Sequence, residues 1–169
     1  MKKKCVLVWL LAIMITPVIH AQQDMFKALF IYNFTKNVSW PEAYQQGEFI
    51  ISVLGSDGIT AELQSLVANK KVNNQDVKIN QLTNLSSVPK AHIIFVAPSK
   101  SGSLASVIDY YKGKPTLIIS QKSNGCRDGA GINFVVVDGK IKYEICPKNN
   151  QAQGLSVNQK LHALGILTE

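Results

Sequence analysis

Apolar and polar positions alternate most clearly between Ile132 and Ile145. Two runs rich in β-branched and aromatic residues flank Asp138-Gly139. That pair suits a two-residue primed turn, because both central positions need positive φ. The turn sets a register in which Val137 faces Lys140, Val136 faces Ile141 and Val135 faces Lys142. It then pairs Phe134 with Tyr143, Asn133 with Glu144 and Ile132 with Ile145. Ile132, Phe134, Val136, Ile141, Tyr143 and Ile145 fall on one face, which is the predicted core face. Asn133 and Glu144 meet on the other as a cross-strand pair, and Cys146 falls opposite Gly131.

Helical spacing appears at the other end of the chain. Phe26, Leu29, Phe30, Asn33, Phe34 and Val38 predict an amphipathic helix over about 24–38 with that stripe against the core. Asn33 lies on the stripe and would need a buried hydrogen-bond partner. Trp40-Pro41 stops the helix, since a residue before proline avoids the α region. Phe49–Leu54 is apolar almost throughout, as in a strand of a sheet covered on both faces. The pattern then gives a helix over 59–69, a more polar strand at 76–80, a loop at 86–89 and an apolar strand at 92–96. A helix over 103–111, capped by Gly113, and a strand at 116–119 lead into the hairpin. Pro147 opens a short helix that stops near Gly154. Ser156 caps a last helix carrying Val157, Leu161 and Leu164 on one side. This order predicts a single α/β domain, with a mostly parallel sheet flanked by helices and a C-terminal antiparallel β-hairpin.

Residues 1–21 stand apart from that domain. Lys2, Lys3 and Lys4 precede an apolar run from Cys5 to Ile19, and Ala21 is a small residue at a cleavage point. The pattern is that of a secretory signal peptide, and the run is short for a membrane span of roughly 20 residues. Loss of the leader removes three lysines and no acid, so the formal charge falls from +7 to +4. That balance, without a basic stripe interleaved with aromatics, gives no reason to expect nucleic acid. Residues 22–169 are expected to lie outside the cytoplasmic membrane. Cys126 and Cys146 are then the remaining cysteines, and an even count in an exported chain favours a bridge. Pairing requires 126–130 to curl back, which nearby glycines permit. Two separate thiols are the alternative.

Three polar loops follow apolar strands and carry Ser56, Lys100 and Lys122. In a parallel sheet such loops share one edge, where a small anion could be held. Ordinary solvated turns are the plainer reading, because no Gly-x-Gly-x-x-Gly and no P-loop occurs. No Gly-x-Ser-x-Gly, His-Glu-x-x-His or Cys-x-x-Cys is present either. His92 at the head of a strand reads as structural, and Glu144 beside Asn133 as a hydrogen-bonded pair. The residues predict neither an enzyme nor a metal or cofactor site.

The stretch Lys27-Ala28-Leu29-Phe30-Ile31-Tyr32-Asn33-Phe34-Thr35-Lys36, followed by Val38-Ser39-Trp40-Pro41, resembles the opening of the YfiR family. Gly131-Ile132-Asn133-Phe134-Val135 and Gly139-Lys140-Ile141-Lys142-Tyr143-Glu144-Ile145 are similar to that family's hairpin. Gly154-Leu155-Ser156 and Lys160-Leu161 fit its closing helix. The chain departs from the pattern at Cys146, where asparagine is usual, and at Cys126, where an aromatic is common. The resemblance implies a periplasmic regulator that represses a membrane-anchored diguanylate cyclase by binding its periplasmic sensing domain, with cysteine redox state involved. A histidine kinase or another inner-membrane sensor is an alternative partner, and a homodimer stays open. An exposed apolar patch on the first helix or the hairpin would mark the docking surface. The runner-up function is a periplasmic small-molecule binder that uses Ser56, Lys100 and Lys122.

Overall fold

The computed structural model describes residues 16–85 and 90–168. In chain order come helix α1 (Thr16–Asn37), strand β1 (Val38–Ser39), a 3-10 turn (Glu42–Tyr44), β2 (Phe49–Leu54), α2 (Asp57–Val67), β3 (Lys71–Val72) and β4 (Gln75–Leu82). Next are β5 (Ile93–Val96), a 3-10 segment (Pro98–Ser103), α3 (Leu104–Tyr111), β6 (Leu117–Ser120), β7 (Ile132–Val137) and β8 (Lys140–Ile145). The chain closes through α4 (Pro147–Ala152), β9 (Ser156–Val157), α5 (Gln159–Leu164) and β10 (Ile166–Leu167). The predicted loop at 86–89 and most of the predicted leader lie outside the described residues.

One eight-stranded sheet has the order β10-β8-β7-β6-β5-β2-β4-β3. Strands β4, β2, β5, β6 and β7 run parallel. At the two ends β8 returns antiparallel to β7, and β3 antiparallel to β4. The hairpin has the register read from Asp138-Gly139, residue for residue from Ile132↔Ile145 to Val137↔Lys140. Asp138 and Gly139 both adopt positive φ, 51° and 72°, as a primed turn requires.

The central strands are buried on both faces because helices cover each. Ile93 and Phe95 join Ile51, Val53, Ile119 and Phe134 in the core beneath α1 and α2. Their neighbours Ile94 and Val96 point the other way, into a second core with Leu104, Val107 and Tyr111 from α3. A near-continuous apolar strand is what two covered faces require.

Several expectations need correction. The buried stripe of α1 is Ala28, Ile31 and Phe34, continued by Val38 in β1, while Phe26 and Leu29 are 43% and 37% exposed. Asn33 is exposed and has no buried partner to find. The helix carries apolar residues around much of its circumference, so periodicity alone could not choose the face. Packing against α2 and the sheet chose it. Val136 on the hairpin is also exposed, because the two strands project past the core before they turn. Near the end, Ser156 belongs to β9, which pairs antiparallel with β1, and the cap of α5 is Asn158. Leu164 is 78% exposed rather than packed. The final strand β10, parallel to β8, was not foreseen.

Candidate functional site

Cys126 and Cys146 form a disulfide with their Cα atoms 5.6 Å apart. The curl that permits it is closed by backbone bonds: the Gly129 N–H donates to the Cys126 carbonyl and the Ala130 N–H to the Gly125 carbonyl, each at 3.0 Å. Asn124 and Gly129 take positive φ within it. Asn149 donates to the carbonyls of Cys126 and Ala130, both at 2.7 Å, and Asn150 donates to that of Gly131 at 2.9 Å. These two asparagines bind α4 to the curl. Sequence reasoning missed them, although two adjacent asparagines just inside a helix are poor helix formers and could have signalled a tertiary role. Both sulfur-bearing residues border an open cleft of about 400 Å³.

Asn133 anchors the same region from inside the sheet. Its carbonyl oxygen accepts from the Ser120 hydroxyl at 2.7 Å and the Lys122 N–H at 3.1 Å. Its amide donates to the Lys122 carbonyl at 3.0 Å and the Glu144 carboxylate at 2.8 Å. The amide is therefore saturated, as a nearly fully buried asparagine should be. Gly125 packs so closely that a Cβ there would overlap the Asn133 side chain and the Ser120 hydroxyl.

The three loops bearing Ser56, Lys100 and Lys122 share one edge of the sheet, since they follow the adjacent parallel strands β2, β5 and β6. Two of the three polar side chains are engaged by near neighbours. The Ser56 hydroxyl accepts from the Ile59 N–H at 3.4 Å and caps α2. The Lys100 stem lies against Gly55, where any Cβ would overlap it, and the Ser99 hydroxyl donates to the Gly55 carbonyl at 2.7 Å. The Lys122 ammonium pairs with Asp128.

His92 is fully buried with both ring nitrogens engaged. The Ile50 N–H donates to Nδ1 at 2.9 Å, and Nε2 lies 2.7 Å from the Tyr44 carbonyl. The ring is thus neutral with its proton on Nε2, and neither nitrogen is open to a substrate. Burial holds its pKa below the usual histidine value, and the Lys90 charge lowers it further. Trp40 is buried beside it, edge-on to Phe49, and its indole N–H donates to the His92 carbonyl at 3.2 Å. Among the described residues no group of three or more His, Cys, Asp or Glu side chains is placed to hold a metal.

Exposed apolar side chains gather on the first helix and the hairpin, and a second set, Leu164, Ile166 and Leu167, lies at the end of the chain. Met25, Phe26 and Leu29 form an outward stripe on the first helix, each between 37% and 43% exposed. Beside it Phe26 and Phe30 face Gly139, Lys140 and Ile141 at the hairpin tip across a cleft of about 470 Å³. Val136, the cross-strand neighbour of Ile141, is 54% exposed. Asn33 lies on the outer side of this helix and Trp40 in the core beyond its end, so those two residues share no site.

A family model described as YfiR/HmsC-like matches residues 24–165. No curated protein matches the chain significantly.

Proposed function

The chain belongs to the YfiR/HmsC-like family, and on that premise we propose that it is an exported repressor of an inner-membrane signalling enzyme. The family is one of periplasmic regulators rather than catalysts, tied to cyclic-di-GMP signalling. In this reading the chain holds down a diguanylate cyclase by binding its periplasmic sensing domain. The carrying observation is the apolar face made by Met25, Phe26, Leu29 and the hairpin tip. Large apolar side chains clustered at a surface cleft mark a contact surface, whereas single exposed ones are ordinary. Its aromatic and aliphatic members are of the kind that anchor interfaces. The cysteine bridge lies at the other end of β8 from the hairpin tip, so any redox influence on the contact would act through the sheet rather than at the face itself.

The test is capture of partners from detergent-solubilised membranes. The wild-type chain should retain an inner-membrane cyclase, and Phe26→Asp or Val136→Asp should release it while leaving the melting temperature nearly unchanged. Loss of either variant's repression should raise cellular cyclic-di-GMP. Equal retention by both variants and wild type would remove the contact from this face.

A further inference from the structure

At the sheet edge opposite the three glycine-bearing loops, two lysines frame a cavity of about 280 Å³. Lys90 enters just before β5, and Lys114 just before β6. The Lys90 ammonium sits 4.2 Å from the centre of the Tyr44 ring, and the Lys114 ammonium 3.8 Å from that of Tyr110. Tyr111, Ala91 and Thr116 complete the wall. Lys27, Lys71, Lys78 and Lys122 each pair with a carboxylate. No such partner lies within 4.0 Å of Lys90 or Lys114 among the described residues, and no acidic side chain lines the cavity. Both lysines are exposed, so water solvates the ammonium groups, and contact with a ring face orients each without neutralising its charge. The resulting positive potential is felt nearby, since Lys90 is one of the causes that keep His92 neutral.

We propose that this cavity binds a small doubly charged oxyanion of the phosphate class, held between the Lys90 and Lys114 ammonium groups. Two point charges match a phosphate dianion better than a single carboxylate, and lysine serves phosphate in that way. The volume is at the lower limit for small-molecule pockets, so it suits a phosphate or a phosphomonoester head rather than a large ligand. The site shares no lining residue with the cleft between the first helix and the hairpin. It therefore stands apart from the repressor reading.

The experiment is titration of inorganic phosphate into the ¹⁵N-labelled protein at constant ionic strength, balanced with chloride. Saturable shifts should appear at the amides of Lys90, Ala91, Lys114 and Thr116. Lys90→Gln and Lys114→Gln should each weaken binding by about tenfold, the loss expected for one charge-assisted contact. Lys160→Gln, on the exposed side of α5, should change nothing. A second arm compares glycerol phosphate with vesicles of phosphatidylglycerol and of phosphatidylcholine. Competition by glycerol phosphate without vesicle binding identifies a soluble source. Sedimentation with phosphatidylglycerol vesicles, lost in the double variant, identifies a headgroup. Diffuse shifts that never saturate, or an affinity unchanged in the double variant, overturn the proposal.

Discussion

Asn133 uses both lone pairs and both amide hydrogens, and each partner belongs to a different part of the knot around the disulfide. Replacing it by alanine leaves the Ser120 hydroxyl, the Lys122 backbone and the Glu144 carboxylate with a lost partner each. The expected cost is about 3 kcal/mol, read as a lower urea midpoint at unchanged slope. Asn33 has the same chemistry but an exposed position, and Asn33→Ala should stay within about 0.5 kcal/mol of wild type. If the two variants were equally destabilised, the buried network would not be what the fold relies on. The hairpin residue could be placed from sequence because its neighbours within the hairpin lie close along the chain. Asn33 could not, since only the rotation of its helix against other elements settles which way it points.

Among the elements, α4 depends most on tertiary ties. It is only six residues long, too short to hold itself in water, and it contains two asparagines and opens with proline. What fixes it is the Cys126–Cys146 bridge at its first turn and the amide bonds from Asn149 and Asn150. The Cys126→Ser, Cys146→Ser double variant should lose about 3 kcal/mol, the loop-closure value for a ring of this size. Hydrogen exchange should rise first in residues 122–131 and in α4, while β5 and β6 keep their protection. Unchanged protection in α4 would mean that the asparagines suffice and the bridge is dispensable to that element. Because both cysteines line an open cleft, a thiol reductant should produce the same pattern in the wild-type protein.

For the molecule as a whole, His92 ties several segments together. Its ring joins β2 to the 3-10 turn at Glu42–Tyr44, and its backbone joins β2, β6 and the Trp40 indole. The buried ring is held neutral, with its pKa below the ordinary value of 6.5. Between the folded and unfolded values the unfolded chain carries the extra proton, so stability rises with pH in that window. This contribution is complete above about pH 6.5 and is lost as the solution becomes more acidic. The melting temperature should therefore fall below that pH, and the imidazole resonances of His92 should keep their neutral positions where a solvent-exposed histidine is already charged. A normal titration of His92 in the folded protein would contradict the buried, neutral assignment.

The amino-acid order alone determined what depends on near neighbours. Asp138-Gly139 dictates the hairpin register and the apolar runs dictate most strands of the parallel sheet, while the two cysteines and their nearby glycines permit a bridge without deciding it against two separate thiols. Those features follow from local φ/ψ limits and from side-chain periods of fixed length. The tertiary structure decided what depends on distant partners. It turned the first helix so that Phe26 and Leu29 face out, set the Ser56 hydroxyl on the Ile59 N–H and paired Lys122 with Asp128. It also left Lys90 and Lys114 without a carboxylate beside one cavity. No period along the chain encodes these outcomes, because each is set by which surfaces exclude water together and which charges are left facing each other when they do.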